Sequence, residues 1–195
     1  MKSKGIRRRS STMAKRATRS SSYTEPTTLQ IKKLVEGENL SVKDSRCIKK
    51  LKDVYRTLMI RIIRAAGSRK EKNRTVTMDD LIYALTSLFG TKIQTKLGDG
   101  TVVVDVSRFR KMFKECLEIL ASKDLKVSNE VMAVIHKATE VCLAKAFLSP
   151  LSAWQLEKKG MDADRVLTME DLLAVNQVHL LSESEFFSPS LVKSE

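Results

Sequence analysis

The chain has 195 residues, 42% of them hydrophobic and 30% charged, so it is long enough to bury a core and is typical of a globular protein. Aromatic residues make up 5%, and seven glycines with three prolines provide few helix breakers, which favours a helical chain. The formal net charge of +13 favours a polyanion such as nucleic acid as a partner.

Cysteine usage and hydropathy exclude further classes. Cys47, Cys116 and Cys142 are odd in number and lack a CxxC spacing, so neither a disulfide framework nor a zinc site is expected. The chain starts with charges rather than an apolar stretch, and no apolar run approaches the ~20 residues of a membrane span. We expect reduced core thiols, no membrane anchor and no secretion.

Residues 1–26 are predicted to be a disordered basic tail. They are rich in Ser, Thr, Lys and Arg and carry too little apolar area to order themselves. Residues 1–28 hold eight basic side chains and one acidic side chain. The tail residues expected to contact a polyanion are Arg7, Arg8, Arg9, Lys15, Arg16 and Arg19. A merely solubilising tail is the alternative.

Residues 27–90 predict a short, a long and a short helix. Thr27 or Thr28 caps the first helix, which ends at Gly37, and Asp44 or Ser45 caps the long one. The third runs from about Met78 to Gly90. Apolar residues of the long helix recur at three- and four-residue spacing: Ile48, Leu51, Tyr55, Leu58, Ile62 and Ala65. The opposite face of this helix is basic, and the simplest interpretation is that it is exposed to water. Its residues are Lys49, Lys50, Lys52 and Arg56.

Residues 107–181 repeat this order, after a linker at 91–106 that predicts a β-hairpin around Asp99-Gly100. Ser128 or Asn129 caps the second long helix. The Ser149-Pro150 pair predicts that this helix stops and restarts as Pro150–Lys159. Residues 182–195 form a mildly acidic C-terminal tail.

One sequence motif occurs twice. Arg74–Ile82 (RTVTMDDLI) returns at a constant offset of 91 residues as Arg165–Leu173 (RVLTMEDLL). Each copy holds a Thr and an acidic pair suited to cap a helix. The repeat predicts two copies of one fold unit. A single long helix has too little in its own unit to cover its apolar stripe, whereas two units clasped head to tail can close a core.

The segment 72–85 resembles the second loop and third helix of the H-four type core histone, including the Thr-Val-Thr and Tyr-Ala-Leu sequences. Ile31–Leu34 resembles that histone's first helix. The second unit is similar to the H-three type in apolar spacing, and an H-two-B type alignment of Val127–Ile135 competes with it. The resemblance implies an all-α chain of two tandem histone folds, which form a pseudo-heterodimer within one chain as in the fused histone doublets of marseillevirus-type giant viruses.

In that family, DNA phosphates lie at paired loops and helix N-termini. The resemblance therefore implies DNA-binding roles at the loops of the two units, for Lys43, Lys72, Arg74, Thr75, Lys126 and Arg165. The family's Arg-to-Asp clamp between second loop and third helix maps to Arg74–Asp80 and Arg165–Asp171. Both pairs are six residues apart, one fewer than is usual in the family.

The implied partners are double-stranded DNA, a second histone pair of the H-two-A and H-two-B type, and a second copy of this chain. Leu151 and Trp154 are the residues expected to rebuild the self-pairing surface after the break at Pro150. The implied location is a nucleus, a viral factory or a virion.

The favoured function is a chromatin architectural protein that packages DNA. A histone-fold scaffold of a transcription complex is the alternative, because residues 105–195 carry 14 acidic and 12 basic side chains. No nucleophile–base pair, carboxylate dyad or phosphate-binding glycine loop indicates an enzyme, and no cofactor is expected. His136 and His179 lack the companions of a metal site.

Overall fold

The computed structural model describes residues 24–68, 75–90, 101–120, 122, 124–159 and 165–178. The all-α class is confirmed, because this part of the chain is mostly helical. The helices are α1 (Thr28–Glu36), α2 (Ser45–Gly67), α3 (Met78–Phe89), α4 (Val106–Ile119), α5 (Asn129–Val141), a π-helical segment (Cys142–Leu148), α6 (Ser149–Lys159) and α7 (Met169–Val178). The strands are β1 (Ser41–Val42), β2 (Thr75–Val76), β3 (Lys126–Val127) and β4 (Val166–Leu167). We call residues 24–90 the first half and residues 101–178 the second half.

Short polar side chains set where the helices begin, as the sequence predicts. The Thr27 hydroxyl accepts the backbone N–H of Gln30 at 3.2 Å, while the Gln30 side chain accepts the N–H of Thr27 at 2.8 Å, which completes a capping box for α1. Asp44 caps α2, Thr77 caps α3 and Ser128 caps α5. Each cap satisfies a backbone donor that the helix itself leaves open.

The long helix α2 buries a wide apolar stripe against both halves. It contacts α1 and α3 of its own half, and α4, α5, α7 and the π-helical segment of the second half. The fully buried side chains of the stripe include Leu51, Tyr55, Met59 and Ile62. Apolar residues from both halves therefore form one continuous core.

Two short parallel strand pairs join the halves. β1 of the first half pairs with β4 of the second, and β2 pairs with β3. An ion pair of 2.6 Å also connects Lys145 Nζ in the π-helical segment to Glu38 Oε1 beside β1. The halves are thus interleaved, with each strand pair taking one strand from each.

The predicted helix break at Pro150 is wrong. Residues 142–148 form a π-helix that leads directly into α6, and Ser149 has helical backbone angles of φ −62° and ψ −44° rather than those of an N-cap. The Ser149 N–H donates to the carbonyl of Ala144, five residues back. In an α-helix the proline ring would collide with the carbonyl four residues earlier. The wider π turn shifts that carbonyl, so the helix continues through the proline.

This continuity also corrects the predicted self-pairing residues. Leu151 is 0% exposed and belongs to the chain's own core, so it is not available to a second copy. Trp154 is partly exposed, and Lys158 Nζ lies 4.6 Å from the centre of its ring. Of the two predicted residues, Trp154 alone lies at the surface.

Several other predictions fall at the edge of the described chain. Most of the predicted hairpin lies at 91–100, outside the described residues, and residues 101–105 contain no strand. Residues 1–23 and 179–195, which include His179, also lie outside the described residues. Among the described helices, none has both the length and the hydropathy needed to cross a membrane.

We predict that residues 1–90, expressed alone, are largely unfolded. The α2 stripe would lose its cover by α4, α5 and the π-helical segment, and each large apolar side chain exposed costs about 1.5–3 kcal/mol. Circular dichroism during urea unfolding measures this, with the full chain as the control. Cooperative unfolding of the fragment, with a midpoint independent of protein concentration, would contradict the prediction.

A second prediction concerns the three thiols, all of which are buried. Burial raises the pKa of Cys116 and of Cys142 to about 12, and it also raises the pKa of Cys47. At about pH 8 the thiols of Cys116 and Cys142 are therefore almost entirely protonated, and the thiolate is the reactive form. Iodoacetamide should leave the native chain unmodified and alkylate all three cysteines in concentrated guanidinium chloride. Mass spectrometry reads this out, and rapid native alkylation would exclude burial of the modified thiol.

Candidate nucleic-acid interface

The first strand pair brings together two of the predicted DNA-binding residues. β1 and β4 are parallel, with Ser41 opposite Val166, and the Ser41 N–H donates to the carbonyl of Arg165 at 2.9 Å. Exposed Lys43 directly follows β1, and half-buried Arg165 directly precedes β4. A lysine from the first half and an arginine from the second half therefore lie at one paired loop.

The second strand pair brings together two more. Thr75 of β2 is directly opposite Lys126 of β3, and both are exposed. Lys72 and Arg74, which are also predicted to bind DNA, lie outside the described residues, as do the predicted tail arginines and lysines. The predicted residues that the structure describes thus divide into two clusters, each with members from both halves.

Each strand pair leads into two helix N-termini. α2 and α7 follow β1 and β4, and α3 and α5 follow β2 and β3. The N-terminus of a helix carries a partial positive charge and attracts anions. Here the chain's own carboxylates offset much of that positive charge, because three of these helices have acidic side chains in their first turns: Asp79 and Asp80, Glu130, and Glu170 and Asp171.

At the fourth of these helices, α2, the cap is itself an ion pair. The Asp44 carboxylate accepts the backbone N–H of Arg46 at 2.8 Å and is paired with its guanidinium at 2.9 Å. These hydrogen bonds from Arg46 hold the pKa of Asp44 below its ordinary value. The cap therefore stays charged near neutral pH, and Lys43 is the neighbouring cation left for an external anion.

The first helices of the two halves also begin side by side. Gln30 Nε2 donates to Asp105 Oδ2 at 2.8 Å across a sequence distance of 75 residues. Asp105 precedes α4 and makes no side-chain cap to that helix, because its carboxylate is directed to α1. The N-termini of α1 and α4 are thus joined.

The predicted Arg-to-Asp clamp has another form in the second half. Thr168 donates to Asp171 Oδ2 through its backbone N–H and its hydroxyl, both at 2.9 Å, and Gln155 Nε2 donates to the same oxygen at 2.8 Å. Gln155 also donates to the carbonyl of Val166 in β4. Among the described residues, α6 rather than the predicted Arg165 guanidinium holds this carboxylate.

In the first half, the corresponding carboxylate of Asp80 accepts the N–H and the hydroxyl of Thr77, at 2.8 and 2.6 Å. Its predicted clamp partner, Arg74, lies outside the described residues. Sequence reasoning identified both Thr–Asp capping pairs but missed Gln155. A buried glutamine on a partner helix leaves no local sequence signal.

The sequence predicts that water solvates the basic face of α2. The structure shows instead that part of this face packs against other residues. The Lys52 side chain is 19% exposed and its Nζ lies 3.5 Å from Glu25 Oε2, while Arg56 is half-buried beside Cys116. Residues 24–26, which the sequence assigns to the disordered tail, pack here, and Pro26 is buried. Lys49 on the same face is exposed.

His136 has a packing role. Its ring is 3% exposed and stacks on Phe109 with ring centres 4.1 Å apart. Its Nε2 is 3.4 Å from Glu140, whose carboxylate accepts the backbone N–H groups of Val103 and Val104 at 2.8 Å. The pair thus holds the segment before α4 against α5. Within the described residues, no group of three His, Cys, Asp or Glu side chains is arranged to bind a metal ion.

No known family matches the chain, and neither a characterised protein nor a solved structure is significantly similar to it.

We predict that Gln155→Leu destabilises the fold by about 1–3 kcal/mol. Leucine is similar in size to glutamine, but it lacks the N–H donor that the buried Asp171 carboxylate and the Val166 carbonyl share. Relief of Gln155 Oε1, which is buried without a hydrogen bond, offsets part of this loss. Chemical denaturation measures the change. Glu157→Gln, on the exposed side of the same helix, is the control and should stay within about 0.5 kcal/mol of wild type. Equal stability of the two variants would exclude the role assigned to Gln155.

Proposed function

We propose that this chain is a DNA-packaging histone doublet, in which the first half corresponds to the H-four type and the second half to the H-three type. The observation that carries the proposal is the pairing of loops between the halves, with Lys43 and Arg165 at the two ends of the β1–β4 pair and Thr75 opposite Lys126 in the other pair. The first copy of the repeated motif forms β2 and the start of α3, and the second copy forms β4 and the start of α7. The two halves are then two histone folds that form a pseudo-heterodimer.

Double-stranded DNA fits the charge and the geometry of these clusters. Its phosphates present a regular row of single charges, and the paired loops present exposed cations next to helix N-termini from both halves. Contacts to phosphates carry no base information, so the binding is expected to tolerate sequence. The chain supplies half of a nucleosome-like particle, and a second histone pair of the H-two-A and H-two-B type completes it.

The alternative is a histone-fold scaffold in a transcription complex. It is favoured by the excess of acidic over basic side chains in residues 105–195, 14 against 12, which suits protein contacts better than DNA contacts. The two functions differ in whether the truncated chain, without residues 1–23, still binds DNA at its loops.

We expect DNA affinity to fall steeply with salt. Six to ten phosphate contacts would reduce affinity by about 10³–10⁵-fold between roughly 50 and 200 mM salt. Removal of residues 1–23, which leaves Thr24–Pro26 in place, should weaken binding and keep a defined nuclease footprint. Fluorescence anisotropy and nuclease digestion measure the two effects. A truncated chain that binds DNA no better than an acidic control protein would favour the scaffold.

A charge-neutralisation series tests the loops themselves. Lys43→Gln and Lys126→Gln should each lower the slope of log affinity against log salt by about one, because each removes one phosphate contact. Lys33→Gln is the matched control, since it removes the same charge from an exposed position in the last turn of α1, outside the strand pairs. An equal effect of all three substitutions would mean that net charge, and not loop position, determines binding.

Assembly with the other histone pair tests the packaging role. Nuclease digestion of DNA bound by this chain alone should protect a short fragment, and addition of an H-two-A and H-two-B type pair should lengthen it. A protected length that the second pair leaves unchanged would contradict the proposed half-particle.

A further inference from the structure

The segment just before α1 is held by the second half of the chain. Both oxygens of the Glu115 carboxylate accept the backbone N–H of Thr24 at 3.0 Å, and Arg108 Nη1 donates to the carbonyl of Glu25 at 3.0 Å. Pro26, the next residue, is buried. Two successive backbone positions are therefore bonded to charged side chains of α4.

The first half contributes to the same contact. Lys52 Nζ of α2 lies 3.5 Å from the Glu25 carboxylate, and the Lys52 side chain is largely buried. Arg56, one turn further along α2, lies beside Cys116 of α4, the residue after Glu115. Residues 24–26 thus lie where α2 and α4 meet, with partners on both helices.

These contacts give the segment a direction. Arg108 and Glu115 are seven residues apart on α4, which is about two turns or 10 Å. Arg108 bonds Glu25, and Glu115 bonds the preceding residue, Thr24. From α1 back to Thr24, the chain therefore runs along α4 toward the C-terminal end of α4. Thr24, where the described part of the chain begins, thus lies beside Glu115.

We propose that Thr24–Pro26 is a tail anchor, which fixes the point where the basic residues 1–23 leave the folded domain and so limits the DNA phosphates that they can reach. Glu115, Arg108 and Lys52 are its positioning residues. The DNA part of this inference rests on the proposed packaging function. Lys111 and Lys114 of α4 are exposed within about one turn of Glu115, so the surface around the proposed exit point is cationic.

The length of the chain sets how strongly the anchor restricts the tail. The distance between a residue and the last fixed residue is at most about 3.6 Å for each position that separates them in the sequence. Ser20 is four residues from Thr24, a limit of about 14 Å. Without the anchor, the first fixed residue is the α1 cap Thr27, and the limit rises to about 25 Å.

Glu115 distinguishes an anchor from a simple charge effect. Loss of its carboxylate makes the surface more positive, so an electrostatic role alone predicts tighter DNA binding with the tail in the same place. An anchor predicts that the tail moves. Glu115→Gln keeps an acceptor oxygen and should retain part of the wild-type position, whereas Glu115→Ala should not.

The first measurement needs no DNA. Hydrogen exchange of the full chain should show a protected Thr24 amide, and Glu115→Ala should accelerate its exchange at least about tenfold. Glu118→Ala, at an exposed position one turn further along α4, should leave it unchanged. Arg108→Ala is a second test variant. Circular dichroism verifies that each variant folds.

The second measurement locates the tail on DNA. An iron chelate attached at Ser20→Cys cleaves nearby DNA, and the native thiols, all buried, do not compete for labelling. A duplex is used on which hydroxyl-radical footprinting shows a single bound position. Wild type should give one narrow cleavage window. Glu115→Ala, which leaves Glu25 held by Arg108 and Lys52, should widen it by about 1.25-fold, and Glu115→Ala combined with Arg108→Ala should widen it by about 1.5-fold. Glu118→Ala should leave the window unchanged.

The outcomes separate the two proposals. Equal exchange rates or equal cleavage windows for wild type and Glu115→Ala would overturn the tail anchor. A wild-type chain that fails to bind DNA would instead contradict the packaging function, and the exchange measurement would still decide whether the anchor exists.

Discussion

The structure depends on the apolar stripe of α2, which its own half cannot cover. The stripe runs along a 23-residue helix, whereas α1 and α3 have nine and twelve residues. The remaining cover comes from α4, α5, α7 and the π-helical segment of the second half. Burial of apolar area is the main favourable term in folding, so each half would expose part of its core if the other were removed.

That mutual cover dictates where the loops lie. Once the long helices cross, the end of each brings a loop of one half beside a loop of the other, and two residues of parallel strand are enough to fix the register. Isolated strands of this length would not be stable. Here the packed helices hold them in place, and the strands in turn fix Thr75 opposite Lys126 and place Lys43 and Arg165 at the two ends of the β1–β4 pair.

The sequence predicted the features that depend on local chemistry. Thr27, Asp44, Thr77 and Ser128 cap the helices expected of them, because a short polar side chain bonds donors within its own first turn. The histone resemblance named the four residues at the strand pairs, Lys43, Thr75, Lys126 and Arg165, although the strands themselves were not predicted. A two-residue strand has too few positions to show an alternating pattern.

The remaining features depend on distant partners. Pro150 has a local signature for a helix start, yet the π-helical segment before it allows the helix to continue, and Leu151 enters the core as a result. Gln155 replaces a predicted arginine, and Glu115 orders residues that their composition assigned to a tail. For Gln155 and Glu115 the deciding contact joins different helices or distant segments, and for Pro150 it is a π turn that has no local sequence signature. Composition and periodicity cannot detect such contacts.

The acidic first turns next to the paired loops bear on how a phosphate backbone would be bound. Asp79, Glu130 and Glu170 are exposed at the helix starts, so these N-termini repel an anion that approaches along the helix axis. The exposed loop lysines Lys43 and Lys126 supply the opposite charge near these carboxylates. In the described part of the chain, the cations at the strand pairs are thus separated points. Under the proposed packaging function, points spaced by the fold would select the spacing and curvature of a duplex backbone, and they would carry no information about its bases.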